Sequence, residues 1–350
     1  MNAPADLIRL TQFSHGGGCG CKIAPAVLSE ILAKTPIRGL PKDLIVGIES
    51  SDDAAVYRLN DEQAMVATTD FFTPIVDDPT DFGRIAATNA LSDVYAMGGK
   101  PIFALAIVGM PLDKMPVEVI QKIIAGGESV CAEAGIPVAG GHSIDTLEPI
   151  YGLVALGLVH PKKVKRNDRA REGDVLILGK PLGVGILSAA LKKGKLSAEG
   201  YKRMVEVTTQ LNTPGTALAE MDDVHALTDV TGFGLAGHLL EICRGSKLGA
   251  EVRFDDLPVI PEALEWVKGG TATGASDRNW KGYGHEVRMP AGTPDWKRKL
   301  ISDPQTSGGL LVACAPSSEK RVLEEFGRQG FSKACRIGTM RAGGAVLAVT

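Results

Sequence analysis

At 350 residues, with 44% hydrophobic and 23% charged residues, the chain is long enough for two ordinary domains, each with its own core. A formal net charge of -3 gives no reason to expect a nucleic-acid partner, and the most apolar run, Ile102 to Met110, is far too short to span a bilayer, so no membrane association is expected. Met1 to Leu10 has no apolar h-region, and six cysteines do not make a disulfide scaffold, so a reducing cytoplasm is the expected setting.

The first feature along the chain is Ser14-His15-Gly16-Gly17-Gly18-Cys19-Gly20-Cys21-Lys22. Its glycines make a permissive, mobile loop that lets backbone approach a ligand. A thiol beside a lysine is biased toward thiolate, below the ~8.5 of a free cysteine. That combination predicts a reactive site, with Cys19 and Cys21 standing apart from apolar packing and Cys131, Cys243, Cys314 and Cys335 serving as core or helix residues. The loop is no Walker A motif: Cys21 stands where the second glycine belongs and Ile23 where the magnesium-binding hydroxyl belongs. A helix from Pro25 to Leu32 is expected after it.

Periodicity then predicts strands at Leu44 to Ile48, Ala54 to Leu59 and Met65 to Thr69, and a helix from Ile85 to Met97. A buried strand at Pro101 to Gly109, a helix from Val117 to Ala134, and strands at Ile136 to Ala139 and Ile150 to Val159 follow. The basic stretch Pro161 to Gly173 reads as a linker. Beyond it come strand Val175 to Leu178, helix Val184 to Lys192, helices around 197–221, strand His225 to Leu227, helix Leu235 to Cys243 and strand Ala250 to Phe254. The chain closes with strand Leu310 to Cys314, a helix from Ser318 to Gln329, and strands near 335–339 and 345–349. Strands and helices mix without strict alternation, which predicts two α+β domains: an arm at 1–43 carrying the mobile loop 14–22, a domain at 44–160, the linker 161–173, and a domain at 174–350. Gly183-Val184-Gly185 resembles a dinucleotide fingerprint, but Ser188 takes the third glycine position and no ribose acid is marked, so a plain strand-to-helix turn is expected.

Asp52-Asp53, Asp70, Asp93, Asp145 and Asp229 each lie beside an apolar strand or on an otherwise apolar helix. Asn89 and Asp93 sit one turn apart on one helix face. A lone aspartate at a strand end is usually a turn former or N-cap. Several of them, next to glycine-rich turns, point to carboxylates paired with magnesium around a nucleotide. Ala139-Gly140-Gly141-His142-Ser143 fits such a site, two glycines and two donors ending a short strand. His160, His225, His238 and His285 have no ligand spacing and read as structural.

These motifs, with Asp52 to Tyr57, Thr68 to Phe72, Phe82 to Ala90, Thr228 to Gly234 and Asp303-Pro-Gln-Thr-Ser-Gly-Gly309, resemble the selenophosphate synthetase (selenide, water dikinase) family, in the superfamily of aminoimidazole ribonucleotide synthetase. The resemblance runs from Leu10 to the C-terminus, and the Cys-Gly-Cys-Lys loop is the part specific to this branch. It implies conversion of ATP, selenide and water to selenophosphate, AMP and phosphate, with Mg2+. It implies Cys19 at the position often filled by selenocysteine, and Lys22 as the essential lysine, also at the ATP. Asp53, Asp93 and Asp229 match the family's metal-binding acids. Ser50, Ser51, Asp52, Asp70 and Asp93 match its nucleotide site, and Gly141, His142 and Ser143 a segment reaching ATP across a homodimer. The implied fold is an N-terminal α/β domain that pairs with its twin, plus a C-terminal α+β domain. A kinase of the same superfamily would share the aspartates but has no use for Cys19, Cys21 and Lys22, and a selenium or metal carrier would leave the carboxylates unexplained.

Overall fold

A computed structural model describes residues 8–14, 16–21, 23, 27, 31, 41–47 and 52–350. The first half carries strands β1 (Leu44–Val46), β2 (Ala55–Arg58), β3 (Ala64–Phe72), β4 (Lys100–Met110), β5 (Val138–Asp145) and β6 (Ile150–Val159), in the spatial order β1-β2-β3-β6-β4-β5. Every neighbouring pair is antiparallel except β4 and β5. Helices α1 (Pro79–Ala96) and α2 (Val117–Glu133) lie on one face of this sheet.

Alternation along β3 decides what the two faces carry. Ala64, Val66, Thr68, Asp70 and Phe72 are buried against the helices, while Met65, Ala67, Thr69 and Phe71 point the other way and are only partly covered or exposed. Their cross-strand neighbours Leu158, Leu156 and Val154, and beyond them Phe103, Leu105 and Ile107, extend the same half-covered apolar face, which reaches His142 and Ile144 on the edge strand β5.

Helix α1 begins six residues earlier than its apolar spacing suggests. Asp78 caps it, its Oδ1 accepting from Asp81 N at 2.8 Å, and Pro79 occupies the first turn. From Ile85 to Ala96 the helix is buried on every side, because one face meets the sheet and the other meets the second half of the chain. Its last residue, Ala96, packs in one cluster with Val175, Ile177 and Leu218.

The second half holds β7 (Val175–Leu178), α3 (Val184–Lys192), α4 (Ala198–Thr208), α5 (Pro214–Ala219), β8 (Val224–Asp229), α6 (Gly234–Ser246) and β9 (Gly249–Val252). It continues with α7 (Pro261–Lys268), α8 (Gly274–Tyr283), β10 (Val287–Arg288), α9 (Asp295–Ile301), β11 (Leu310–Cys314), α10 (Glu319–Arg328), β12 (Cys335–Arg341) and β13 (Leu347–Val349). Its mixed sheet runs β10-β13-β9-β12-β7-β11-β8. The two-part α+β reading therefore stands. Helices α7, α8 and α9 had no counterpart among the sequence expectations; all three are short and polar, and two begin on local signals, Pro261 in the first turn and a Thr273 cap.

The connection at residues 161–173 is packed in place. Lys165 is buried, its Nζ donating to the carbonyls of Met221 and Val224 at 2.9 and 2.7 Å, and burial pulls its ammonium down to about 8. Ala170 N donates to Ser246 Oγ at 3.0 Å. No helix among the described residues is long and apolar enough to cross a membrane.

Candidate active site

Three carboxylates meet where the two halves join. Asp53 comes from the turn before β2, Asp93 from α1 and Asp229 from the end of β8, and one oxygen of each lies within 4.8 Å of the other two. Hydroxyls fix all three. Thr68 Oγ1 donates to Asp93 Oδ2 at 2.5 Å, Thr228 Oγ1 donates to Asp53 Oδ1 at 2.9 Å, and the Ser92 hydroxyl donates to Asp229 Oδ2. Asn212 Nδ2 steadies Ser92 at 2.7 Å and Gly308 O at 2.9 Å. Burial first, then the charges of Asp229 and Asp93, hold the Asp53 carboxyl well above the usual range. Asp53 Oδ2 is sealed from solvent without a hydrogen-bond partner among the described residues. Hard oxygen donors crowded in this way suit a divalent cation such as Mg2+.

A second chain of contacts starts one turn before Asp93. Asn89 Nδ2 donates to Asp70 Oδ2 at 2.7 Å, and Asn89 Oδ1 accepts from Cys19 Sγ at 3.3 Å and from Ser307 N at 2.7 Å. Ser307 has left-handed backbone, φ 51°, and its carbonyl accepts from the buried Lys180 Nζ at 2.9 Å. Burial pulls the Lys180 ammonium down to about 7.

Cys19 differs from the expectation of a thiol standing apart from apolar packing. Residues Gly18–Cys21 form a tight 3-10 turn, and Cys19 is buried within the core, 1% exposed. Gly18 N donates to Thr73 O at 2.9 Å, and Cys19 N donates to Thr306 Oγ1 at 3.0 Å. Gly18 is required here: at φ 54° a Cβ would stand 2.3 Å from Thr306 Oγ1. The glycines thus permit close docking of the turn.

Among the remaining expected site residues, Lys22, Ser50 and Ser51 lie outside the described residues, as does most of the expected helix at 25–32. Asp52 parts from its neighbour, with Oδ1 accepting from Asn167 N at 2.8 Å and Oδ2 lying 3.8 Å from Arg166 Nε, so it ties down the packed connection. Gly141, His142 and Ser143 are within β5 and exposed at the sheet edge, so the glycine pair does not end a strand. A Cβ on Gly141 would fall 2.1 Å from Ala106 O, which is how this strand lies so close to β4. The turn at Gly183 is protein-capped: Gln305 Oε1 accepts from Gly183 N and Val184 N at 3.0 and 3.1 Å, and Asp303 Oδ2 from Ile186 N at 3.2 Å. Asn89, Ser92, Lys180, Thr306 and Ser307 join the site without having been expected as site residues. For Asn89 the signal was its one-turn spacing from Asp93.

Residues 51–159 match the AIR synthase related protein, N-terminal domain, and residues 171–349 the AIR synthase related protein, C-terminal domain. The chain is 66% identical over 337 residues to selenide, water dikinase of Burkholderia pseudomallei (strain K96243), covering 96% of this chain and 95% of the relative. It is 63% identical over 340 residues to selenide, water dikinase of Dechloromonas aromatica (strain RCB), covering 97% and 98%. The fold is shared with thiamine-monophosphate kinase from Stenotrophomonas maltophilia K279a, at a TM-score of 0.64 and 20% identity, over 94% of this chain and 96% of that one. With relatives this similar along nearly the whole chain, and both halves matched, the chain belongs to the selenide, water dikinases, the selenophosphate synthetases of the AIR synthase related proteins.

Proposed function

We propose that the chain transfers the γ-phosphoryl group of ATP to selenide, giving selenophosphate, while the remaining ADP is hydrolysed by water to AMP and phosphate. The observation that carries this reading is the meeting of the Asp53–Asp93–Asp229 cluster with the Cys19–Asn89–Asp70 chain across α1. Mg2+ held by Asp53, Asp93 and Asp229 would neutralise charge gathering on the phosphate oxygens, the main demand of phosphoryl transfer. Asp70, oriented by Asn89, would position the nucleotide. Cys19 would stand at the acceptor end, held by Asn89 and Thr306, and Lys22 would steady phosphate charge. A packed turn over the reacting groups excludes bulk water from the first transfer, which favours selenium over water as acceptor. The use in a cytoplasm of selenophosphate for selenocysteine and selenouridine synthesis follows from the same reading.

The half-covered sheet face supports a homodimer. Met65, Phe71, Val154, Leu156, Leu105 and Ile107 form one contiguous apolar surface, and a second copy of the same face would cover it. His142 lies on that face, and Gly141 and Ser143 flank it on the same edge strand, so their part in ATP binding would be played toward the partner's site.

The test is phosphorus NMR of an anaerobic reaction with ATP, Mg2+ and selenide. A new P–Se resonance accompanied by AMP is expected. Accumulation of ADP as the final nucleotide, with no P–Se signal, overturns the reading.

A further inference from the structure

Beside the cysteine turn, between the two halves, lies a cavity of about 570 Å3 whose wall includes neither Asn89 nor Asp70. Its wall includes Lys192 and Lys193 at the end of α3 and Arg278 on α8, and no carboxylate among the described residues lines it. None of these three cations is in an ion pair with a described residue. Lys192 Nζ donates to Ser14 O and Arg278 Nη2 to Gly20 O, both at 2.9 Å, which leaves donors to spare on each. The half-buried Cys21 faces the same space. A second gap, no larger than a single water, touches Cys19 and shares Gly20, Ala275 and Arg278 with the larger cavity.

The turn therefore has two chemically distinct sides. Cys19 donates toward Asn89 and the acidic side, where a magnesium-bound nucleotide fits. Cys21 looks into the cationic side. A nucleophile carrying negative charge is repelled by three carboxylates and by polyphosphate, so it gains from a separate, positive approach.

We infer that this cavity binds the anionic selenium substrate, hydroselenide, and admits it to Cys19 past Arg278, opposite the nucleotide. The inference rests on the reading above that selenide is the phosphoryl acceptor. Lys192, Lys193 and Arg278 are the residues that set selectivity for an anion, and Cys21 lines the route. No bond forms or breaks at this stage; the cavity concentrates and delivers.

The charge of the cavity can be read without turnover. Cys21 is alkylated with iodoacetate, an anion, or with iodoacetamide, its neutral analogue, and modification is located by peptide mass. The ratio of the two rates in the wild type is expected to exceed that of a free small thiol by ~10-fold, and to fall to the free-thiol value in K192Q/K193Q. In steady-state assays K192Q/K193Q and R278Q should raise KM for hydroselenide by ~10-fold with KM for ATP unchanged, and R278K should recover most of the loss. A wild-type ratio equal to that of a free thiol overturns the inference, as does a rise in KM for ATP in place of hydroselenide. Absence of selenophosphate from wild-type reactions, with the alkylation ratio still high, would instead strike the proposed activity and leave an anion site of another purpose.

Discussion

Cys19 and Asp70 are joined through one amide. Asn89 accepts from the Cys19 thiol at 3.3 Å and donates to the Asp70 carboxylate at 2.7 Å, so the thiol and the carboxylate share one helical support. Any shift of α1 moves both together.

That linkage makes Asn89 a positioning residue. Asn89→Ala is expected to lower selenophosphate formation by ~100-fold and to weaken ATP binding by a smaller factor, because it releases both the Cys19 thiol and the Asp70 carboxylate. Cys19→Ser should abolish product with the fold intact, whereas Cys21→Ser should be milder. Product by phosphorus NMR and melting temperature by calorimetry check this. Equal losses in ATP affinity and turnover for Asn89→Ala would mean that it serves the nucleotide alone.

The acidic trio should respond in opposite senses with and without metal. Without Mg2+, Asp53→Asn removes a buried charge that burial, Asp229 and Asp93 all disfavour, and keeps an oxygen for the Thr228 hydroxyl. Stability is expected to rise by on the order of 1 kcal/mol. Saturating Mg2+ and ATP analogue should stabilise the wild type by about 2.7 kcal/mol at a hundred times the dissociation constant, and stabilise Asp53→Asn, Asp93→Asn and Asp229→Asn far less. Equal increments in the wild type and all three variants would exclude the trio as a metal site.

Lys180 should leave a signature in the pH dependence of stability. Burial lowers its ammonium from 10.5 in the unfolded chain to about 7 in the folded one. Between those values the unfolded chain binds more protons, so folding gains stability as pH rises through the window, by up to about 1.4 kcal/mol per pH unit. Below pH 7 both states are charged and the cost of burial is fully present. Urea unfolding of the wild type and Lys180→Met at pH 6.5, 8 and 9, in Mg2+-free buffer, should give profiles that diverge upward for the wild type. Parallel profiles would show that the lysine keeps its ordinary affinity for protons.

Charge placed on the open sheet face should separate the proposed dimer. Leu156→Lys and Phe71→Lys put an ammonium in the middle of that face, on the side away from α1 and α2. Sedimentation is expected to show a dimer for the wild type and a monomer of normal secondary structure for both variants. A dimer that survives both would place any association elsewhere.

The carboxylates were legible because each closes or borders an apolar run, a local pattern that survives without knowledge of the fold. The resemblance picked Asp53, Asp93 and Asp229 out of that set, and the structure brings an oxygen of each within 4.8 Å of the other two. The local pattern by itself did not divide Asp52 from Asp53, since what sets Asp52 apart in the structure is contact with Asn167 and Arg166, more than a hundred residues away. Cys19 misled through its glycine neighbours. Glycine permits a mobile loop and a tightly docked turn alike, and here the docking partners Thr73 and Thr306 decide. The Gly140–Gly141 pair read as the end of a strand because glycine weakens strands, yet close approach to Ala106 makes glycine the residue that fits. Residues 161–173 read as a linker by composition, and Lys165 reverses that through two carbonyl acceptors that only the tertiary structure supplies.

The acids at the junction come from both halves, Asp53 and Asp93 on one side and Asp229 on the other, with Ser92 and Asn212 stitched across. Neither half holds the whole trio, so the chain resembles two parts of a clasp. Cut at residues 161–173, the pieces would remain inert apart and recover function only by finding each other again, and a cation held by the trio would be the ligand that favours their reunion.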